Sequence, residues 1–176
     1  MIRVFEPQLS ISDKISVLKT LLNNNISGTS PSVGEFEKEL ANKFDRKHAI
    51  AVSNGSVALD LAFQNLELNE GDEVIVPTFT IISCLSAILR TKATPIFTDV
   101  DKDSWNMTLD SVKNKYTKKT KAVLMVHLYG LAAEANAIQE FCKKKNIILI
   151  EDAAESHGQI EGEKKCGSFG DISTMS

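Results

Sequence analysis

The sequence lacks any run approaching the ~18 consecutive apolar residues of a membrane span. It also lacks a basic segment followed by a long apolar one at its start, Met1-Ile2-Arg3-Val4-Phe5-Glu6-Pro7, so no secretory leader is read and a cytoplasmic protein with no membrane partner is expected. An excess of one charge is missing too. Twenty Lys and Arg against 23 Asp and Glu leave a formal net charge of −3, which argues against a nucleic-acid partner. Cysteine is scarce: Cys84, Cys142 and Cys166 are far apart, odd in number and form no C-x-x-C, so neither a disulfide framework nor a cysteine metal site is read. Reduced, buried thiols are expected. The triplets at Asn25, Asn54 and Asn106 match the glycosylation pattern, which means nothing without secretion.

What remains is the balance of an ordinary globular protein, 43% apolar and 24% charged, and 176 residues suit one medium domain. After residue 45 short β-branched runs alternate with helical patterns. Candidate strands are Ala49–Ser53, Glu73–Pro77, Pro95–Asp99, Ala122–His127 and Ile147–Glu151, with helix-like segments at Ser56–Leu66, Ile81–Arg90, Leu109–Tyr116 and Glu134–Lys145. Runs such as Val74-Ile75-Val76 and Ile147-Ile148-Leu149-Ile150 are apolar throughout, so both strand faces must be covered. That predicts an α/β fold in three layers, α/β/α, with a mainly parallel sheet. Ahead of it Phe36, Leu40, Ala41 and Phe44 mark one face of an amphipathic helix. The lysines between 113 and 121 and at 143–145 have no interleaved aromatics and read as solvated surface.

In open α/β sheets ligands bind outside the carboxyl ends of the strands. Three segments stand at such ends. Ser53-Asn54-Gly55-Ser56-Val57-Ala58 follows a strand and opens a helix, where Ser56 and Val57 would offer backbone N–H groups to a phosphate; a capped helix without a ligand explains the same residues. Pro77-Thr78-Phe79-Thr80-Ile81 joins a strand to a helix, and Thr80 alone reads as an N-cap. The third, Ile150-Glu151-Asp152-Ala153-Ala154-Glu155, sets two carboxylates where a buried strand ends. Burying an unpaired carboxylate costs several kcal/mol, so Asp152 needs a cationic or hydrogen-bonding partner. A pyridinium nitrogen would serve, and so would the amides of a following turn.

Other patterns are weaker. Asp99, Asp101, Asp103 and Asp110 have EF-hand spacing, but Ser104 stands where that loop needs Gly and Asp110 replaces its bidentate Glu, so a turn is the better reading. Gly162 and Gly167 have the Walker spacing without its Lys. His127 and His157 lie at or beyond strand ends, within reach of a pocket, but no H-x-x-x-H supports a metal site.

Taken in order, Ile26-Ser27-Gly28, Ala51-Val52-Ser53-Asn54-Gly55-Ser56, Gly71-Asp72-Glu73-Val74-Ile75-Val76-Pro77, Pro95-Ile96-Phe97-Thr98-Asp99, Val126-His127-Leu128-Tyr129-Gly130, Glu151-Asp152-Ala153-Ala154-Glu155 and Gly167-Ser168-Phe169-Gly170-Asp171 resemble the DegT/DnrJ/EryC1/StrS sugar aminotransferase family over nearly the whole chain. The resemblance implies the large domain of a fold-type-I pyridoxal phosphate enzyme, with residues 1–176 as its N-terminal part and a small C-terminal domain absent. It implies amino transfer from glutamate to a nucleotide-diphospho-keto sugar, aminated at C4 of a 4-keto-6-deoxy sugar, in deoxyamino sugar and surface polysaccharide synthesis, by a homodimer. Pyridoxal phosphate needs a phosphate cradle, an acid at the ring nitrogen, a surface for the ring face and a lysine for the aldehyde. By resemblance Ser56, Val57 and Ser176 belong to the cradle, Asp152 is the catalytic acid, and Glu155 lies near the ring's 3-oxygen. Ile81 falls where relatives carry an aromatic ring. The Schiff-base lysine is expected beyond Ser176, which makes this chain inactive alone. The alternative is a non-catalytic α/β module that binds a nucleotide or phosphate.

Overall fold

A computed structural model describes residues 8–176, which form two compact units dividing between Ala51 and Val52.

The first unit holds α1 (Ile11–Leu22) and α2 (Pro31–Lys43). Helix α1 was not anticipated from the sequence. It starts at a capping box: the Ser10 hydroxyl accepts the Asp13 N–H at 3.1 Å, and the Asp13 carboxylate accepts the Ser10 N–H at 2.8 Å. Its apolar stripe of Ile11, Ile15, Leu18 and Leu22 is exposed. In α2, which Pro31 opens, the expected apolar face is only half right: Ala41 is buried, as is the capping Phe44, while Phe36 is exposed. The strand expected at Ala49–Ser53 is not formed. Among the described residues no strand pairs with it, and the Ala51 N–H goes to the Glu37 carboxylate at 2.8 Å instead of to a ladder.

The second unit is the predicted α/β/α sandwich. Strands β1 (Glu73–Pro77), β2 (Thr94–Thr98), β3 (Thr120–Val126), β4 (Ile148–Asp152) and β7 (Ile172–Thr174) form one sheet in the order β2-β1-β3-β4-β7, all parallel. Helices α3 (Gly55–Gln64), α4 (Ile82–Leu89), α5 (Leu109–Lys115) and α6 (Ala135–Lys145) supply the outer layers. Period-two alternation separates two cores. Val74, Val76, Leu124, Val126 and Ile150 meet Leu59, Phe63, Cys84 and Ile88 of α3 and α4. Ile75, Val123, Met125 and Leu149 meet Val112, Ile138 and Cys142 of α5 and α6. The polar loop at Glu161–Lys165 is a small antiparallel hairpin, β5 (Ile160–Glu161) and β6 (Lys164–Lys165), turned by Gly162 at φ +63°. All three cysteines are buried free thiols, as expected.

Candidate active site

Glu151 and Asp152 are successive residues on one strand, so their side chains leave the sheet on opposite faces. Asp152 follows Ile150 toward α3 and α4; Glu151 follows Leu149 toward the α5 and α6 side. Both carboxylates are buried, and their surroundings differ sharply.

Glu151 is saturated with donors. It accepts from the N–H groups of Gly167, Phe169 and Gly170, from the Ser173 hydroxyl at 2.8 Å, and from Nε2 of His127 at 3.0 Å. Burial alone would raise its pKa, but His127 and the amides of Gly170 and Gly167 outweigh that and hold it at about 2. The turn can wrap the carboxylate because residue 170 is glycine: a Cβ there would lie 2.8 Å from the Glu151 Cβ and 2.9 Å from its backbone nitrogen. His127, which stood within reach of a pocket in the sequence, is fully buried and turned to Glu151. Burial opposes a second proton on its ring, while Cys166 and Glu151 favour one. The Ala133 N–H decides the balance. It donates to Nδ1 at 3.0 Å, and an accepting nitrogen carries no proton, so the ring is neutral with its hydrogen on Nε2. His157 is exposed.

Asp152 has fewer donors. Oδ1 accepts the Ala154 N–H at 3.1 Å, and Oδ2 accepts the Cys84 thiol at 3.3 Å. Burial raises its pKa, and these donors, together with Thr174, only partly offset the shift. The result is a buried carboxylate with residual demand for a proton or a cation.

The other candidates gather around it. Ser83, next to Cys84, shares a 2.7 Å hydroxyl–hydroxyl hydrogen bond with Ser56 at the start of α3. Ser176 lies two residues past Thr174, the β7 partner of Asp152, and packs on Gly55: a Cβ at Gly55 would come 2.9 Å from the Ser176 Cβ. Ser56, Ser176 and Asp152 therefore lie toward the carboxyl end of the sheet, where the sequence reading expected Ser56, Val57 and Asp152 to converge. Val57 differs. Its N–H is not free, because the Asn54 side chain caps α3 by accepting it at 3.0 Å. Ile81 is the N-cap residue of α4 and is 60% exposed, so its aliphatic face is open. Thr80 does not cap that helix; its hydroxyl donates to the Cys84 sulfur at 3.2 Å. Glu155 accepts the Tyr129 N–H at 2.7 Å, tying the segment after β4 to the loop after β3. Lys164, one of the two lysines between Asp152 and Ser176, donates to Gln139 of α6 on the opposite side of the sheet.

The acidic run is a turn. Asp101 Oδ1 accepts from the N–H groups of Asp103 and Ser104 and from the Ser104 hydroxyl, which hold its pKa below the usual carboxylate range. The residues that sequence reasoning missed are Cys84, Ser83 and the partners of Glu151. Period-two alternation, applied to Glu151-Asp152 rather than only to the apolar run before it, would have assigned the two carboxylates to different faces.

Comparison with known proteins sets this geometry in context. The model of the DegT/DnrJ/EryC1/StrS aminotransferase family matches residues 9–176. A GDP-perosamine synthase of Escherichia coli O157:H7 is 43% identical over 99% of this chain and 48% of its own length. An aminotransferase from Psychrobacter cryohalolentis superposes with a TM-score of 0.90 at 37% identity, over 97% of this chain and 43% of its own. A GDP-4-keto-6-deoxy-D-mannose-3-dehydratase of E. coli, solved with bound hydrated PLP, superposes at 0.82 and 29% identity over 89% of this chain and 42% of its own. The chain spans about half the length of these relatives.

Proposed function

We propose, since the chain belongs to the DegT/DnrJ/EryC1/StrS aminotransferase family, that the protein transfers an amino group from glutamate to C4 of a nucleotide-diphospho-4-keto-6-deoxy sugar. Aminotransferases of this family depend on pyridoxal phosphate. We further propose that residues 1–176 are the N-terminal part of the large domain, that the complete enzyme is a homodimer, and that its product serves surface polysaccharide synthesis. The exposed, mutually packed rings of Phe79, Trp105 and Tyr129, with centroids 5.8–6.3 Å apart, are apolar surface of the kind a subunit contact covers.

The residues present fit the cofactor. Absence of a side chain at Gly55 lets Ser176 approach the start of α3, so the Ser56 and Ser176 hydroxyls can hold a phosphate together where the helix dipole favours an anion. Asp152 offers a carboxylate whose demand for a cationic partner its own neighbours leave unmet, which suits a protonated ring nitrogen. Ile81 presents an exposed aliphatic face for the ring to lie against, without aromatic stacking. Glu155 is assigned to the neighbourhood of the ring's 3-oxygen. Val57 contributes only through the helix end, because Asn54 holds its N–H. When bound, pyridoxal phosphate supplies an aldehyde for the amine and a ring that withdraws electrons from the substrate carbon. The chain's share is to fix the phosphate, keep the ring nitrogen protonated through Asp152, and exclude water behind that carboxylate with the α3–α4 core. The lysine that holds the aldehyde is assigned outside residues 8–176.

The observation that carries this reading is the continuous contact from Ser56 through Ser83 and Cys84 to Asp152, closed by Ser176 against Gly55. Binding of pyridoxal phosphate, pyridoxal and ATP to the purified chain tests it. The phosphate cradle predicts pyridoxal phosphate at least about tenfold tighter than pyridoxal, or about 1.4 kcal/mol, and tighter than ATP. ATP binding as well as or better than pyridoxal phosphate would instead favour a nucleotide-binding module.

A further inference from the structure

We propose that Cys84 is a positioning residue that sets the basicity of the Asp152 carboxylate, through a relay of hydrogen bonds from Thr80 to Cys84 to Asp152. The proposal rests on the reading of Asp152 as the partner of the cofactor's ring nitrogen.

Cys84 sits in the first turn of α4, fully buried, with its N–H donated to Ile81 O at 3.1 Å. The Thr80 hydroxyl donates to its sulfur at 3.2 Å, and the sulfur donates to Asp152 Oδ2 at 3.3 Å. A thiol has one hydrogen. With a Thr80 hydrogen against the sulfur lone pairs, the S–H is directed at the carboxylate, so the relay has one polarity. Burial and the charge of Asp152 push the Cys84 pKa up to about 12, which keeps the thiol a neutral donor throughout the neutral range. Thr174 on β7 is the other side chain that bears on Asp152, whereas His127 is turned to Glu151 on the opposite face.

A thiol is a weaker donor than a hydroxyl, so it stabilises the ionised carboxylate less. Asp152 is thereby left more basic than a serine at position 84 would leave it, and a more basic carboxylate holds the proton on a ring nitrogen more firmly. The relay also fixes the plane of the carboxylate, because Oδ1 is held by Ala154 and Oδ2 by Cys84.

The test reads Asp152 by carboxyl carbon resonance across a pH titration of the cofactor-free chain, in the parent, Cys84→Ser, Cys84→Ala and Thr80→Val. The expected order of Asp152 pKa is Cys84→Ala highest, then Thr80→Val, then the parent, then Cys84→Ser lowest. The serine variant should lie about half a unit to one unit below the parent. A residue that only fills space would shift the melting temperature without producing this order. Should Cys84→Ala fail to fold, Cys84→Ser and Thr80→Val still move the titration in opposite directions. Indistinguishable midpoints in those two variants would overturn the relay. Pyridoxal phosphate binding by the parent chain is measured alongside. If the order holds and the parent does not bind the cofactor, the relay stands and the cofactor reading of Asp152 falls.

Discussion

Glu151 and Asp152 are adjacent acids on the same strand, and the fold treats them in opposite ways. On one face of the sheet five donors converge on Glu151 and pull its pKa down to about 2. On the other face Asp152 keeps a thiol and one turn amide as its direct donors, and burial drives its pKa up. A carboxylate whose hydrogen bonds are met inside the chain holds structure together. One that is buried without enough donors costs stability, and the cost is recovered only when a ligand supplies the missing charge. The difference is the ground for proposing that Asp152, rather than Glu151, belongs to chemistry.

Glu151→Gln should give the largest effect. Its NH₂ would face N–H groups of the Gly167–Gly170 turn that need an acceptor, and a loss of about 3–5 kcal/mol is expected in urea unfolding. His127→Leu removes one donor to Glu151 and strands the Ala133 N–H; a loss of about 1–3 kcal/mol should follow. Gly55→Ala presses a methyl group against Ser176, with an expected cost of about 1–3 kcal/mol. It should also weaken pyridoxal phosphate more than it weakens pyridoxal, which separates damage to the cradle from general destabilisation.

The pH dependence sharpens the contrast. The folded pKa of Glu151 lies below its unfolded value of 4.5, so its contribution is complete above that value and is lost as pH falls from 4.5 toward about 2. Asp152 has the opposite sign. Its folded pKa is raised above 3.8, so its contribution is present below 3.8 and is lost as pH rises through the folded pKa. Stability measured from pH 2 to 7 should therefore climb less steeply in Glu151→Gln than in the parent, and more steeply in Asp152→Asn. The smallest effect on stability is expected for Asp152→Asn at neutral pH, where the variant should be at least as stable as the parent. An amide there can accept from Ala154 and donate to the Cys84 sulfur without a buried charge.

The sheet was legible in the sequence because its strands are buried on both faces. Glu73–Pro77 matches the expected strand residue for residue, and the next three strands shift by at most two residues at either end. Asp152 closes β4, as a parallel sheet with its site at the strands' carboxyl ends leads one to expect, but Ser56 follows no strand of the sheet and is placed instead by α3 and its hydrogen bond to Ser83. Ala49–Ser53 misled because a β-branched run specifies extended backbone but not a partner, and its Ala51 N–H found a carboxylate. Helix α1 escaped notice because it is exposed along its length, so burial left no contrast to read; the Ser10–Asp13 capping box was the available signal. The contact of Cys84 with Asp152 joins residues 68 apart in sequence, and no local pattern encodes it.

The most direct test is to titrate pyridoxal phosphate into the parent chain and into Asp152→Asn, with the unfolding free energy of each measured in the same buffer. If Asp152 is kept short of donors so that it can hold the ring nitrogen, the variant binds the cofactor at least about tenfold more weakly while being no less stable. Equal affinity in the two proteins, or lost affinity that merely tracks lost stability, would contradict it.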